Sequence, residues 1–176
     1  IREEPIVVLV INMLAAAVLV SCIFTGIAVG DSLSDNNIPP LLCTFLISLG
    51  TSAVGGFKLI ALFLAVEQFI AVTSMSHYAI MSRWVQRMVG LAWLFITVHT
   101  SFGISCHLLG LDTVVEFDRR MFGIDNHICN CRYETVTSLF HFTLEIFTFC
   151  FSFATCVLLT YTAVQGIKQE RRISRG

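Results

Sequence analysis

Charge is scarce in this sequence: only 13% of its 176 residues are Asp, Glu, Lys or Arg, and the formal net charge is -1. Soluble globular domains carry about 25% charged residues, so a soluble fold is disfavoured. The small net charge gives no electrostatic reason to expect a nucleic-acid partner. The sequence also lacks HExxH, GxSxG and phosphate-loop motifs, which argues against an enzyme and implies no cofactor.

Apolar residues are abundant instead, at 56% of the chain. Four segments reach the length of about 20 residues that a helix needs to cross a bilayer. They lie at about 5–29, 41–72, 88–111 and 136–164. Because backbone polar groups find no partner in hydrocarbon, these segments should be helices. We therefore predict an all-α, multi-pass membrane protein with a single membrane domain. Because the sequence begins at Ile1, we interpret it as an excerpt from a longer chain.

The polar connectors predict which side of the membrane each of them faces. One side holds seven basic residues: Arg2, Arg83, Arg87, Lys168, Arg171, Arg172 and Arg175. The other side holds three: Arg119, Arg120 and Arg132. Since Lys and Arg concentrate in cytoplasmic loops, the connector 73–87 is predicted to be intracellular, and 30–40 and 112–135 extracellular. The extracellular side is acidic, which favours a cationic or peptide ligand by field complementarity.

Three of the seven cysteines fall on the predicted extracellular side, where the environment is oxidising. A disulfide from Cys43 to either Cys129 or Cys131 is predicted, and the choice between the two stays open. A metal site that combines His127 with the two loop thiols would lack a fourth ligand, so no metal site is predicted. The cysteines inside the apolar segments are interpreted as buried small hydrophobes: Cys22, Cys106, Cys150 and Cys156.

The second segment resembles the third helix of the rhodopsin-like (class A) G-protein-coupled receptors. In that family the helix starts with a Cys bonded to the second extracellular loop and ends in an acidic-Arg-aromatic triplet. Here Cys43 is followed 25 residues later by Gln68, within Glu67-Gln68-Phe69. The remaining matches are Asn12-Met13-Leu14-Ala15 for the second helix, Tyr78 for the second intracellular loop, Trp93 for the fourth helix and Tyr161 for the fifth.

The resemblance implies helices two to five of a seven-helix bundle in the plasma membrane. It implies an extracellular ligand and a heterotrimeric G protein or another cytoplasmic transducer as partners. Ligand-pocket candidates are Gly50, Thr51, Val54 and Glu145. Cytoplasmic coupling candidates are Glu67, Gln68, Phe69, Tyr78 and Tyr161.

Four positions depart from the pattern of the family. Gly50 stands where amine-binding members carry an Asp, so a monoamine ligand is disfavoured. Gln68 replaces the triplet's Arg, Ala17 replaces the sodium-site Asp of the second helix, and Phe153 replaces the Pro of the fifth. These departures imply atypical coupling in a divergent, orphan branch.

Three charged residues lie within the apolar segments, namely Lys58, Glu67 and Glu145, and an ionisable side chain there marks a functional hypothesis. Lys58 and Glu145 are candidates for an intramembrane charge pair. The alternatives are that Lys58 snorkels, or that its partner lies in helices outside this sequence. Ser48, Ser52 and Gly56 recur every four residues, which predicts close helix packing. The basic run 168–175 is predicted to extend the last helix and contact anionic membrane lipid.

Two other classes of protein compete with the receptor. A four-helix structural or adaptor protein of tetraspanin- or claudin-like type has the same topology, but the loop motifs of those families are missing from this sequence. A transporter fragment could use Lys58 and Glu145 in a proton path, yet the sequence has no internal repeat.

Overall fold

The structure is a computed structural model that describes residues 5–33, 40–73, 78–109 and 138–173. It contains four helices in these ranges: α1 (Pro5–Leu33), α2 (Pro40–Thr73), α3 (Tyr78–Leu108) and α4 (Ser138–Ile173). All four are long and apolar enough to cross a membrane. The prediction of an all-α fold with four helices that could span a membrane is therefore confirmed.

Prolines open two of the helices. Pro5 begins α1 and Pro40 begins α2. Proline suits the first helical position, because its fixed φ is helical and its missing N–H would have no partner there. Serine and threonine hydroxyls inside the helices mostly donate to the carbonyl one turn earlier, as Ser21 does to Ala17 and Thr155 to Phe151. In a membrane this keeps hydroxyl donors satisfied within their own helix.

The helices run alternately up and down, which gives the bundle a Cys43 end and a Thr73 end. At the Cys43 end a buried apolar cluster joins α1, α2 and α4, and it includes Ile23, Cys43 and Phe140. Nearer the Thr73 end a second cluster joins α1, α2 and α3, and it includes Leu9 and Val85. α2 packs along each of the other three helices, whereas α3 touches α1 and α4 only sparsely. α2 is therefore the central helix.

The outward faces of the helices are covered with large apolar side chains. Val18 on α1 and Phe149 on α4 are 61% and 70% exposed. Apolar exposure on this scale is rare on soluble proteins, and it fits a surface that faces lipid chains. α2 is the most buried helix, and the other helices expose apolar side chains. This distribution is the one expected of a bundle that is surrounded by hydrocarbon.

Several helix bounds differ from the prediction. α3 begins at Tyr78, ten residues before the predicted Met88. α4 continues beyond the predicted apolar span, which ends at Val164, and reaches Ile173, in agreement with the predicted helical extension through the basic run. α1 continues to Leu33, so the predicted connector 30–40 begins inside a helix. The prediction followed apolar length, which measures the embedded part of a helix, while the backbone stays helical into water. The predicted loop 112–135 lies outside the described residues.

Candidate functional site

A buried histidine links three helices inside the bundle. His99 on α3 is 6% exposed, and its Nδ1 lies 3.1 Å from the Oγ of Ser52 on α2. Its Nε2 lies 3.4 Å from the Oγ1 of Thr143 on α4. Thr143 in turn donates its hydroxyl to the carbonyl of Phe140 at 2.9 Å. We call Ser52, His99 and Thr143 the polar node.

These contacts define one direction for the hydrogen bonds, with the tautomer assigned from the network. The hydroxyl of Thr143 donates its proton to the carbonyl of Phe140. Its Oγ1 must therefore accept a hydrogen bond from the Nε2 of His99. Nε2 then carries the histidine proton, and Nδ1 accepts from the hydroxyl of Ser52. In this arrangement the hydrogen bond from Nε2 to Oγ1 is the weaker of the two that His99 makes, because its 3.4 Å length exceeds the usual 2.9–3.0 Å of N–H···O bonds.

Aromatic rings surround the polar node. The ring of Phe140 lies 4.5 Å from that of His99, and the ring of Phe95 stacks on it at 5.5 Å with 19° between the planes. Phe95 also meets Phe147 and Phe151 edge to face. Such pairs stabilise by about 0.5–1.5 kcal/mol beyond burial. The shell therefore fixes the imidazole between α3 and α4.

A groove of about 490 Å³ lies between α3 and α4, next to the polar node. Its lining is almost wholly apolar: Leu91, Leu94, Phe95, Val98, His99, Phe102, Thr143 and Phe147. Leu91, Leu94 and Val98 are each more than half exposed on the outer surface. The groove therefore opens on the outer surface of the bundle, and His99 and Thr143 contribute to a lining that is almost entirely apolar.

Lys58 binds a different residue from the predicted one. Its Nζ donates to the Oγ of Ser152 on α4 at 2.9 Å, while the side chain of Glu145 lies on the exposed face of α4. Ser152 and Glu145 are seven residues apart, which is about 10 Å along a helix. Among the residues that the structure describes, the candidate Lys58–Glu145 pair is not formed, because Ser152, which accepts from Lys58, and Glu145 occupy different levels of α4.

The other predicted pocket residues on α2 differ in their surroundings. Gly50 packs against α1, where a Cβ would lie 3.1 Å from Ile23. Thr51 is buried and donates its hydroxyl to the carbonyl of Ile47 at 2.7 Å. Val54 is half-buried. Helix packing accounts for Gly50 and Thr51, and a ligand-pocket role for them stays a prediction.

The predicted packing stripe is confirmed, since Ser48, Ser52 and Gly56 all face α3. A Cβ on Gly56 would lie 2.5 Å from Ile96, and the Oγ of Ser48 is 2.6 Å from where a Cβ on Gly103 would lie. Ser52 adds a hydrogen bond to the close approach. Small side chains therefore let α2 and α3 come together.

At the Thr73 end, two of the predicted coupling residues meet. The ring of Phe69 on α2 lies 5.6 Å from that of Tyr161 on α4. Glu67 is fully buried, and Gln68 beside it is exposed. Tyr78 opens α3, but its side chain lies outside the described residues.

A hydrogen bond joins α1 and α3 across the flank of α2. The Nε1 of Trp93 donates to the Oδ1 of Asn12 at 3.0 Å. The Nδ2 of Asn12 donates a second hydrogen bond to the carbonyl of Val8 at 2.9 Å. The two residues are 81 positions apart in sequence, and each was singled out separately by the resemblance to the receptor family.

The cysteines only partly follow the prediction. Cys106 is buried, as expected, but Cys22, Cys150 and Cys156 are exposed, so their interpretation as buried hydrophobes was wrong. A lipid-facing thiol meets an apolar solvent, which removes the drive to bury it within the protein. Cys43 is fully buried and is not among the free thiols. Its predicted partners, Cys129 and Cys131, lie outside the described residues.

Sequence reasoning missed the polar node. His99 is an ionisable residue within an apolar segment, and the rule that singled out Lys58 and Glu145 applies to it equally. The sequence could therefore have marked His99, although its partners could not be found that way, because they come from two other helices.

Comparison of this chain with family models, curated proteins and solved structures finds no match.

Proposed function

We propose that these four helices are helices two to five of a cell-surface receptor of the rhodopsin-like class. In this proposal an extracellular ligand binds at the Cys43 end of the bundle and shifts the helices at the Thr73 end. A G protein or another cytoplasmic transducer then responds to that shift. A ligand can shift the equilibrium only if it binds one of the two states more tightly.

The Asn12–Trp93 hydrogen bond is the observation that carries the proposal. The resemblance assigns Asn12 to the second helix and Trp93 to the fourth, on separate local motifs. A false match would give no reason for the two side chains to meet, yet they lie 3.0 Å apart. The packing of α2 along α4 also agrees with a family that places its third and fifth helices side by side.

The proposed orientation has support at the Thr73 end. The guanidinium of Arg87 lies 5.6 Å from the centre of the Trp84 ring. A tryptophan beside a basic residue is typical of a membrane–water interface, and basic residues favour the cytoplasmic one. Lys168, near the end of α4, is exposed at the same end of the bundle.

Topology mapping of the full-length protein tests the proposal. Asn-X-Thr acceptor sites would be inserted singly into the segments 34–39, 74–77 and 112–135. Glycosylation of the first and third, but not of the second, is expected. Glycosylation at 74–77 alone would overturn the proposed orientation. A full-length chain without three further spanning segments would favour the four-helix structural protein.

Coupling is tested at Gln68, where the family carries its Arg. Full-length protein and the variant Gln68→Arg would be compared by G-protein dissociation in cells at equal surface expression. We expect the variant to raise basal coupling, because it restores the side chain that the family uses there. Gln68→Leu serves as the matched control for loss of polarity, and an equal rise in both variants would contradict the proposal.

A disulfide from Cys43 to Cys129 or Cys131 belongs to the same proposal. It would tether the outer connector over the Cys43 end of the bundle. Peptide mapping without reduction would identify the partner directly. Recovery of Cys43 as a free thiol from protein made in the secretory pathway would contradict the pairing.

A further inference from the structure

Lys58 lies at the middle of the membrane-spanning part of α2. That part is Leu41–Thr73, and at 1.5 Å per residue Lys58 is more than about 20 Å along the helix from either end. Ser152, whose Oγ accepts from the Lys58 Nζ at 2.9 Å, lies near the middle of Leu139–Lys168, the corresponding part of α4. The ammonium therefore stays at mid-depth, and its side chain does not snorkel to the headgroups.

The charge of this ammonium is not compensated by the hydroxyl that binds it. A serine hydroxyl accepts one hydrogen bond but carries no net charge. Charged side chains at the centre of a bilayer are costly, and they usually pair with one another. Among the residues that the structure describes, no carboxylate pairs with Lys58, whose polar contact is with the Oγ of Ser152. The counter-charge must therefore come from elsewhere.

The two acidic residues within the described spans do not supply it. Glu145 lies about 10 Å from Ser152 along α4, and its side chain is exposed. Glu67 is fully buried about 13 Å beyond Lys58 along α2. Nine residues at 100° each also place Glu67 on the opposite side of that helix. Neither carboxylate reaches mid-depth on the side of α2 that carries Lys58.

A second copy of the chain offers no better partner. In the same membrane orientation it presents Glu67 and Glu145 at the same two depths, each about 10 Å or more from the level of Lys58. Its other two described spans, Ile6–Gly30 and Trp84–Leu108, carry no acidic residue. A carboxylate at mid-depth therefore has to come from a helix other than these four.

The side of α2 that carries Lys58 is left partly uncovered by the other helices. Gly56 packs on Ile96 of α3, and Lys58, two residues further on, lies on nearly the opposite side of α2. Lys58 is only half-buried, as is Val54 one turn before it. We propose that a further membrane-spanning segment of the full-length chain packs over this flank. It presents an Asp or Glu to the ammonium, within one helical turn of the depth of Lys58.

The sign of one substitution in the full-length protein tests the proposal. With an acid opposite Lys58, Lys58→Met leaves that acid buried and uncompensated, and the midpoint of thermal unfolding should fall by about 5 °C or more. Without such an acid, the substitution only removes a costly charge. An unchanged or raised midpoint would therefore overturn the proposal. Leu62→Met, a neutral exchange one turn further along the same flank, is the control and should shift the midpoint much less.

A second set of variants identifies the acid. Each Asp or Glu in the spanning segments outside residues 1–176 would be replaced singly by Asn or Gln. One of these variants should lower the midpoint as Lys58→Met does. Its combination with Lys58→Met should return the midpoint to within about 2 °C of the parent, because neither partner is then left as a lone charge. Additive losses in every combination would show that Lys58 acts by packing alone and would overturn the pairing.

This inference rests on the proposed function only because it requires spanning segments beyond these four. Topology mapping separates the two failures. A full-length chain without further spanning segments would overturn the receptor proposal and this pairing together. Further segments combined with an unchanged or raised midpoint in Lys58→Met would overturn the pairing alone and leave the receptor proposal standing.

Discussion

The helices α2 and α4 are of similar length and are both apolar, yet they are used in opposite ways. In the most apolar stretch of α2, 44% of the residues are buried, against 6% in α4. α2 carries three glycines and a stripe of small polar residues, while α4 has six phenylalanines between Phe140 and Phe153 and one glycine, Gly166. In this bundle the spanning stretches of the two helices are similarly apolar, so the small side chains of α2 distinguish the central helix.

The largest expected effect tests the two faces of α4 against each other. Phe140 is fully buried against α2, whereas Phe149 is 70% exposed on the same helix. Phe140→Ala should lower the free energy of unfolding by about 3–5 kcal/mol, because it leaves a cavity in the core. Phe149→Ala should change it by less than about 0.5 kcal/mol. Unfolding in mixed detergent micelles measures both, and equal losses would mean that the outer face of α4 is also packed.

A smaller effect compares glycines on the two helices. A Cβ on Gly55 of α2 would lie 2.8 Å from the Phe95 ring and 3.1 Å from Leu144, while a Cβ on Gly166 of α4 meets nothing within 4 Å. Gly55→Ala should therefore destabilise the protein by about 1–3 kcal/mol through overpacking. Gly166→Ala should be neutral or stabilise the helix by up to about 1 kcal/mol. A neutral Gly55→Ala in the same unfolding assay would show that α2 can move away from its neighbours.

The smallest effect examines the contact that joins α2 to α4. Ser152→Ala removes the acceptor of the Lys58 ammonium and should cost about 1–2 kcal/mol, because a partly buried charge loses a hydrogen bond. Lys58→Met removes the charge and keeps the length of the side chain. In a double-mutant cycle, Ser152→Ala should cost almost nothing in the Lys58→Met background. Equal costs in both backgrounds would mean that the bond contributes nothing to stability.

The sequence was sufficient for the parts of the fold that depend on one segment at a time. Apolar length located all four helices, and the spacing of Ser48, Ser52 and Gly56 identified the face of α2 that packs on α3. It could not supply partners across helices. Lys58 was assigned to Glu145 because both are charged, whereas the register of α2 on α4 places Ser152 within reach. The start of α3 was also missed, since polarity limits the membrane span but not the helix.

The charges of α2 have a consequence for how the protein is made. α2 carries Lys58 and Glu67, whereas no charged residue occurs in α1 before Asp31. A charged residue near the middle of a helix costs about 2.5–3.5 kcal/mol at the translocon. α1, which is synthesised before α2, meets no such cost, and the two helices pack closely at Gly50. The helix that ends up at the centre of the bundle is thus the one that most needs an earlier helix to enter the bilayer.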